Sequence, residues 1–282
     1  MRIAVRPRLA DGIRRHTGRF CPEIARGLCP FAHLRFRAAA SCACTTSTRC
    51  WWARPDTKQH DSVVIKQPNR VVLVLPEVFG VNAWVRSVAD RLAAHGYPAL
   101  AVPLFARTAP DLELAYQPSD LAQGRRHKDA TTSDQILGDV AAAISWLRAR
   151  HPQAAIHVVG FCFGGHAAFL SATLPGVEET FDFYGAGVSR MRPGGGEPSL
   201  ALLPKIQGRL TCVFGMADPL IPAEDREAIG AALHKADPAS ERLRSVEYAV
   251  ADHGFMCEDR SSFNLQASDQ GWRLLLGDDP VV

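Results

Sequence analysis

From residue 62 onward the chain alternates two kinds of apolar pattern. "SVVIK" and "RVVLVLP" are short β-branched runs without polar alternation, which predicts strands covered on both faces. "NAWVRSVADRLAAHG" instead places Trp84, Val85, Val88 and Leu92 at helical spacing, with Asn82 suited to cap its start and Gly96 its end. "YPALAVP" reads as a buried strand. Ile136, Val140, Ile144 and Leu147 then stripe one face of a helix that Ser133 is placed to cap. "AIHVVG" is a strand and "CFGGHAAFLSAT" the helix after it. "TFDFYG" and "LTCVFG" are further strands, and "PAEDREAIGAALHKA" is a helix opened by Pro222. "RSVEYAV" is the last strand, with a C-terminal helix through Trp272. Strands alternating with helices predict an α/β fold, a mostly parallel central sheet with helices on both faces. That is one domain, residues 59–282.

Two stretches break the pattern. Residues 104–132 are polar and fit neither period, which leaves a lid or binding loop and a plain surface connection both open. Residues 1–58 show no sustained period either, and are expected to form a poorly structured basic, Cys/Arg-rich extension. Their composition also resembles a transit peptide, while the spacing of "CAC" and its neighbours does not repeat as the paired cysteines of a zinc site.

Charge and cysteine usage sharpen this division. Residues 1–58 carry eleven Arg and one Lys against three acids, a net of +9, so the other 224 residues carry −6 of the total +3. The basic balance belongs to the extension, where no nucleic-acid recognition motif accompanies it. Five of the eight cysteines lie there too, and only Cys162, Cys212 and Cys257 lie in the body. Three scattered thiols make no disulfide framework, so the body reads as cytoplasmic and reduced. No run approaches the length of a membrane span. Neither a membrane nor a nucleic-acid partner is expected.

The candidate chemistry centres on "VVGFCFGG". A cysteine between Gly160 and Gly164–Gly165, at a strand-to-helix corner, has the form of a nucleophile elbow. Small neighbours let the two backbones pass closely while the central residue takes a strained conformation. The helix N-terminus beneath Cys162 favours a thiolate. The bland alternatives are a buried cysteine at a Gly-rich turn, or a phosphate-binding turn. In this fold the acid and then the base follow the nucleophile in chain order. Asp218 stands in the loop after "LTCVFG" and His253 in the loop after "RSVEYAV", both beyond the carboxyl ends of strands. Asp252 is a weaker acid candidate, because an adjacent residue rarely points back at its neighbour's ring. "LPEVFGVN" after the first long strand can supply an oxyanion N–H from Val78, joining that of Phe163, with Glu77 at the mouth of the site.

Together "LPEVFGVN", "PLFAR", "GFCFGG", "FYGAG", "GMADPLIP" and "ADHGF" resemble the dienelactone hydrolase family, the carboxymethylenebutenolidase-like α/β-hydrolases, from about residue 60 to the C-terminus. The resemblance implies Cys162 as nucleophile, His253 as base and later acid, and Asp218 orienting the imidazole. It implies that Glu77 contacts the resting thiol and releases it when substrate binds. It further implies Arg107 and Tyr184 as substrate-binding residues. The family's second substrate arginine falls four residues after the histidine, where this chain has Cys257; Arg260 stands three positions further on. Pro103 also replaces the family's usual Asp before the loop carrying Arg107.

These readings predict a hydrolase that opens a lactone or cleaves a small carboxylic ester through a Cys-His-Asp triad and a thioester acyl-enzyme. No cofactor or metal is required, and the expected assembly is a monomer or small homo-oligomer. A general carboxylesterase or thioesterase is the alternative within enzymology. A thiol redox sensor is the alternative outside it, and it leaves Asp218 and His253 without a task.

Overall fold

The computed structural model describes residues 68–277 together with two short strands nearer the N-terminus, Arg35–Ala38 and Arg49–Ala53. The expected strand "SVVIK" lies outside the described residues, as does most of the segment 1–58. The two strands are a departure from the expected extension. Arg35–Ala38 (β1) pairs parallel with Arg49–Ala53 (β2), and β2 joins the sheet antiparallel to Ala99–Ala101 (β4).

The remaining strands are Arg70–Leu75 (β3), Ala155–Phe161 (β5), Val177–Phe183 (β6), Arg209–Gly215 (β7) and Leu243–Tyr248 (β8). The order across the sheet is β1-β2-β4-β3-β5-β6-β7-β8, and every pair from β4 to β8 is parallel. Burial on both faces explains the continuous apolar runs. Val72 and Val74 pack on one side with Val85, Val88 and Leu92 of Ala83–Ala94 (α1) and Trp272 of Leu265–Leu276 (α6). Val71, Leu73 and Leu75 pack on the other with Ile136, Val140 and Leu147 of Ser133–Arg150 (α3) and Ala167 of Phe163–Ser171 (α4). Each such side chain contributes about 1.5–3 kcal/mol by leaving water. Among the described residues no helix is long and apolar enough to cross a membrane.

Local signals locate the helix ends. The Asn82 side chain accepts the Val85 N–H at 3.1 Å, and Gly96 follows α1 at a φ of +87°. α3 begins one residue earlier than expected: Thr132 is its cap, accepting the Gln135 N–H at 3.3 Å while Gln135 accepts the Thr132 N–H at 3.0 Å. Ala223–Ala236 (α5) follows Pro222 as expected.

The segment 104–132 holds a helix after all, Pro118–Asp129 (α2). Pro118 presets the backbone of its first turn, and Asp120 accepts the Gln117 N–H at 3.1 Å. Of the twelve described residues of α2 only Gly124 is buried. A helix that buries a glycine and nothing larger shows no apolar stripe.

Glycine inside a helix weakens it unless something needs the missing side chain. Gly138 of α3 is exposed, and a methyl group there would meet nothing within 4 Å. Gly138→Ala therefore raises stability by about 0.5–1 kcal/mol through the more restricted unfolded chain. An unchanged or lowered denaturant midpoint would contradict this.

Candidate functional site

β5 ends at Phe161 and α4 begins at Phe163, so Cys162 alone makes the corner, with φ 56° and ψ −118°. A non-glycine residue holds such a strained conformation only where its surroundings fix it. Here they do. The Cys162 N–H donates to the Phe183 carbonyl at 3.1 Å and its carbonyl accepts the His166 N–H at 3.2 Å. A methyl group at Gly160 would stand 1.8 Å from the Gly164 carbonyl oxygen, and one at Gly164 would stand 2.2 Å from that of Leu75. The glycines let α4 pass against the ends of β3 and β5, which leaves the thiol partly exposed above the sheet.

That close passage also brings two backbone segments together. Phe163 is the first residue of α4, so its N–H has no acceptor within the helix. Gly164 packs on the Leu75 and Pro76 carbonyls, directly before the turn that carries Glu77 and Val78. Both Val78 and Phe163 are buried.

The loops after β7 and β8 carry Asp218 and His253, both buried. His253 Nδ1 lies 2.7 Å from Asp218 Oδ2, and the other carboxylate oxygen accepts the Leu220 N–H at 2.8 Å. Asp252 instead accepts the His253 backbone N–H and stays exposed. The ring is thus fixed through Nδ1 by Asp218. Its Nε2 is buried, meets no nitrogen or oxygen partner among the described residues, and lies beside the Cys162 sulfur. Burial disfavours the imidazolium, but the nearby Cys162 sulfur and the Asp218 carboxylate outweigh it and raise the His253 pKa to about 10.

Glu77 is fully buried, and Arg260 Nη1 donates to its Oε1 at 2.7 Å. The resemblance had Glu77 touching the resting thiol; here its bonded oxygen faces Arg260, and Oε2 has no partner among the described residues. Arg260, whose place the sequence left open, reaches the site because Gly254 clears its path. A methyl group at Gly254 would stand 2.4 Å from the Arg260 Nη1 atom. Burial disfavours the guanidinium charge, but Glu77 and Cys162 raise the Arg260 pKa on balance.

Tyr184 is fully buried at a φ of 43°, with its ring edge-on to His253 at 5.3 Å and its hydroxyl unpartnered among the described residues. Glu77 Oε2 and Tyr184 Oη are therefore two buried polar atoms without hydrogen-bond partners among the described residues, close to the Cys162 sulfur and His253 Nε2. Native interiors rarely leave such atoms unpaired.

The Arg107 guanidinium forms a bidentate pair with the buried Asp139 of α3, at 2.5 and 2.8 Å. Tyr116 is the residue that sequence reasoning missed. Its hydroxyl accepts from Asn82 Nδ2 at 3.1 Å, its ring meets Phe79 edge-on at 4.7 Å, and Arg260 stands 6.0 Å from its centre. No signal marked Tyr116, because it precedes the polar α2. Cys257, at the family's second arginine position, is buried beside it, and burial together with Glu77 pushes its thiol up to about 12. Among the described residues no group of three or more His, Cys, Asp or Glu is arranged to hold a metal ion.

The family model for the dienelactone hydrolase family matches residues 61–277. The chain belongs to the dienelactone hydrolase family. It is similar, at 41% identity over 206 residues, to a Synechocystis sp. protein named "Putative carboxymethylenebutenolidase", covering 72% of this chain and 82% of the relative. It is 29% identical over 205 residues to the carboxymethylenebutenolidase of Pseudomonas putida, with the same two coverages. Among solved structures, a "Putative Dienelactone Hydrolase" from Klebsiella pneumoniae superposes with a TM-score of 0.68 at 26% identity, covering 81% of this chain and 90% of that one. This dienelactone hydrolase family member is a hydrolase on the α/β-hydrolase fold.

Proposed function

We propose that the protein opens a lactone or cleaves a small carboxylic ester through a Cys162–His253–Asp218 triad. The observation that carries this reading is the buried His253 ring, fixed by Asp218 at Nδ1 and raised in pKa by the Cys162 sulfur on its other side. On this reading the ring takes up the thiol proton and holds it as an imidazolium paired with the Cys162 sulfur. The thiolate sulfur attacks the carbonyl carbon, and the C=O π pair moves onto oxygen, within reach of the Val78 and Phe163 N–H groups. The tetrahedral adduct collapses, the C–O bond to the leaving group breaks, and His253 Nε2 gives that oxygen its proton. The thioester formed on Cys162 is neutral. The largest influence that raised the ring's pKa is then gone, and the neutral ring takes a proton from the attacking water. The thiolate leaves and the acid product forms.

Arg260 supports an anionic substrate. It is an ion pair partner of Glu77 in the free site, and a substrate carboxylate competes with Glu77 for the same guanidinium. Tyr184 borders the same space through its contact with His253. Arg107 is committed to Asp139, so we assign it the weaker part in holding substrate. On this reading the hydrolase domain spans residues 59–282, with β1 and β2 extending its sheet, and an activated thiol suits a reducing compartment such as the cytoplasm.

The test compares an ester bearing a carboxylate with a neutral p-nitrophenyl ester of similar size, in wild type and in Arg260→Gln. The expected result is a KM about tenfold or more higher for the anionic ester, corresponding to loss of a charge-assisted hydrogen bond, with a much smaller change for the neutral one. Removing Arg260 also leaves the buried Glu77 carboxylate uncompensated, and the neutral ester reports that shared cost. Equal losses on both esters would place Arg260 in the structure and not in substrate binding.

A further inference from the structure

α2 pays for its buried glycine. Gly124 is its single buried residue, and a methyl group there would stand 2.3 Å from the Val78 carbonyl oxygen, 3.0 Å from its carbonyl carbon and 3.2 Å from its Cβ. The helix backbone therefore rests directly on the Val78 peptide. A second contact of the same kind lies two residues along, in the turn that carries Val78. Gly80 has a φ of +76°, and a methyl group on it would stand 2.1 Å from the Leu112 carbonyl oxygen.

Between these two contacts the segment leading into α2 is stitched to the same turn. The Leu114 N–H donates to the Phe79 carbonyl at 2.9 Å, and Gly80 bridges Glu113. Asn82 Nδ2 donates to the Leu114 carbonyl at 3.2 Å, and Arg86 pairs with Glu113 at 2.8 Å. At its far end α2 is held by His127, whose Nδ1 lies 3.1 Å from Thr108 Oγ1, and by the immediate start of α3. A helix tied at both ends cannot drift outward to accept a methyl group at its middle.

We propose that Gly124 is a positioning residue for the reaction: by letting α2 rest on the Val78 peptide it sets the direction of the Val78 N–H toward the reacting carbonyl. This rests on the reading of Val78 as an oxyanion donor given above. The 77–78 and 78–79 peptides share the Val78 Cα. A push on the 78–79 carbonyl therefore turns the neighbouring N–H through the same two dihedral angles. Donor placement matters at the scale of an ångström, because an oxyanion donor acts through a preorganised distance.

The experiment uses Gly124→Ala in the full chain, with Gly138→Ala as the matched helix substitution that meets no neighbour. Rapid-mixing kinetics with a neutral p-nitrophenyl ester give the acylation rate constant and KM, and iodoacetamide gives the alkylation rate of Cys162. Alkylation needs the thiolate and no oxyanion donor. The expected result for Gly124→Ala is acylation slowed about tenfold or more, with alkylation and KM within about twofold of wild type; Gly138→Ala matches wild type throughout. Unchanged acylation in Gly124→Ala overturns the proposal. So does a parallel loss of alkylation or failure to fold, which makes the contact a determinant of the fold alone. Failure of the catalytic reading shows itself differently, as a wild type whose acylation survives Cys162→Ala.

Discussion

Cys162→Ala lowers kcat/KM for ester hydrolysis by about 10^4-fold or more, leaving the fold intact. The size follows from the role proposed for the residue. Without the sulfur no covalent intermediate forms, and residual turnover must come from substrate binding and the Val78 and Phe163 N–H groups alone. The fold survives because Cys162 is partly exposed and its backbone, held by the Phe183 and His166 hydrogen bonds, is untouched. The strain at φ 56° is carried equally by Ala, so the backbone cost is unchanged. Purified Cys162→Ala should therefore unfold in one cooperative transition alongside a near-background rate, with His253 titrating below wild type because the sulfur that raises it is gone. Turnover within tenfold of wild type would remove Cys162 from the chemistry.

Asp218→Asn follows with a loss of about 10^3–10^4-fold in kcat. Asp218 Oδ2 accepts the Nδ1 proton of His253 at 2.7 Å in a buried setting, which keeps Nε2 turned toward the sulfur. An amide can present its NH2 to Nδ1, so the ring then carries its proton on the wrong nitrogen. The same substitution removes one of the influences that raise the ring's pKa, so His253 titrates below its wild-type value of about 10. The sign for stability follows from this. A histidine whose folded pKa lies above its unfolded 6.5 contributes stability that is complete below pH 6.5 and lost as pH rises through about 10. Asp218→Asn lowers the upper edge of that window. Ring proton NMR of His253 and thermal unfolding across pH 6–11 measure both effects. An unchanged His253 titration in Asp218→Asn would contradict the assignment of Asp218 as its partner.

The elbow and the two loops were legible in the sequence for physical reasons. Gly160, Gly164 and Gly165 are where backbones approach within the space of a methyl group, and no other residue type fits there. Asp218 and His253 lie just past continuous apolar runs, so their strand-end positions follow from the pattern of burial. The α1 cap at Asn82 was equally plain. α2 was not, because its single buried residue is a glycine and its docking surface is backbone. Arg260 could not be placed by spacing. Its reach depends on the path of the loop after His253, on Gly254 at a φ of +87°, and on a buried partner 183 residues away in the chain. Arg107 was matched to a substrate residue by position, and what the sequence did not reveal is that Asp139 of α3 bonds both of its terminal nitrogens. Long charged side chains are settled by the nearest buried counter-charge, and local pattern does not reveal that partner.

The central claim, a thioester on Cys162, is tested most directly by acid-quenching the enzyme within milliseconds of mixing with a p-nitrophenyl ester and mapping the adduct by peptide mass spectrometry. The account predicts one acyl group per chain on the peptide carrying Cys162, absent from Cys162→Ala and accumulating at the rate of the p-nitrophenol burst. Turnover without any adduct on Cys162, or an adduct on another residue at the burst rate, would contradict it.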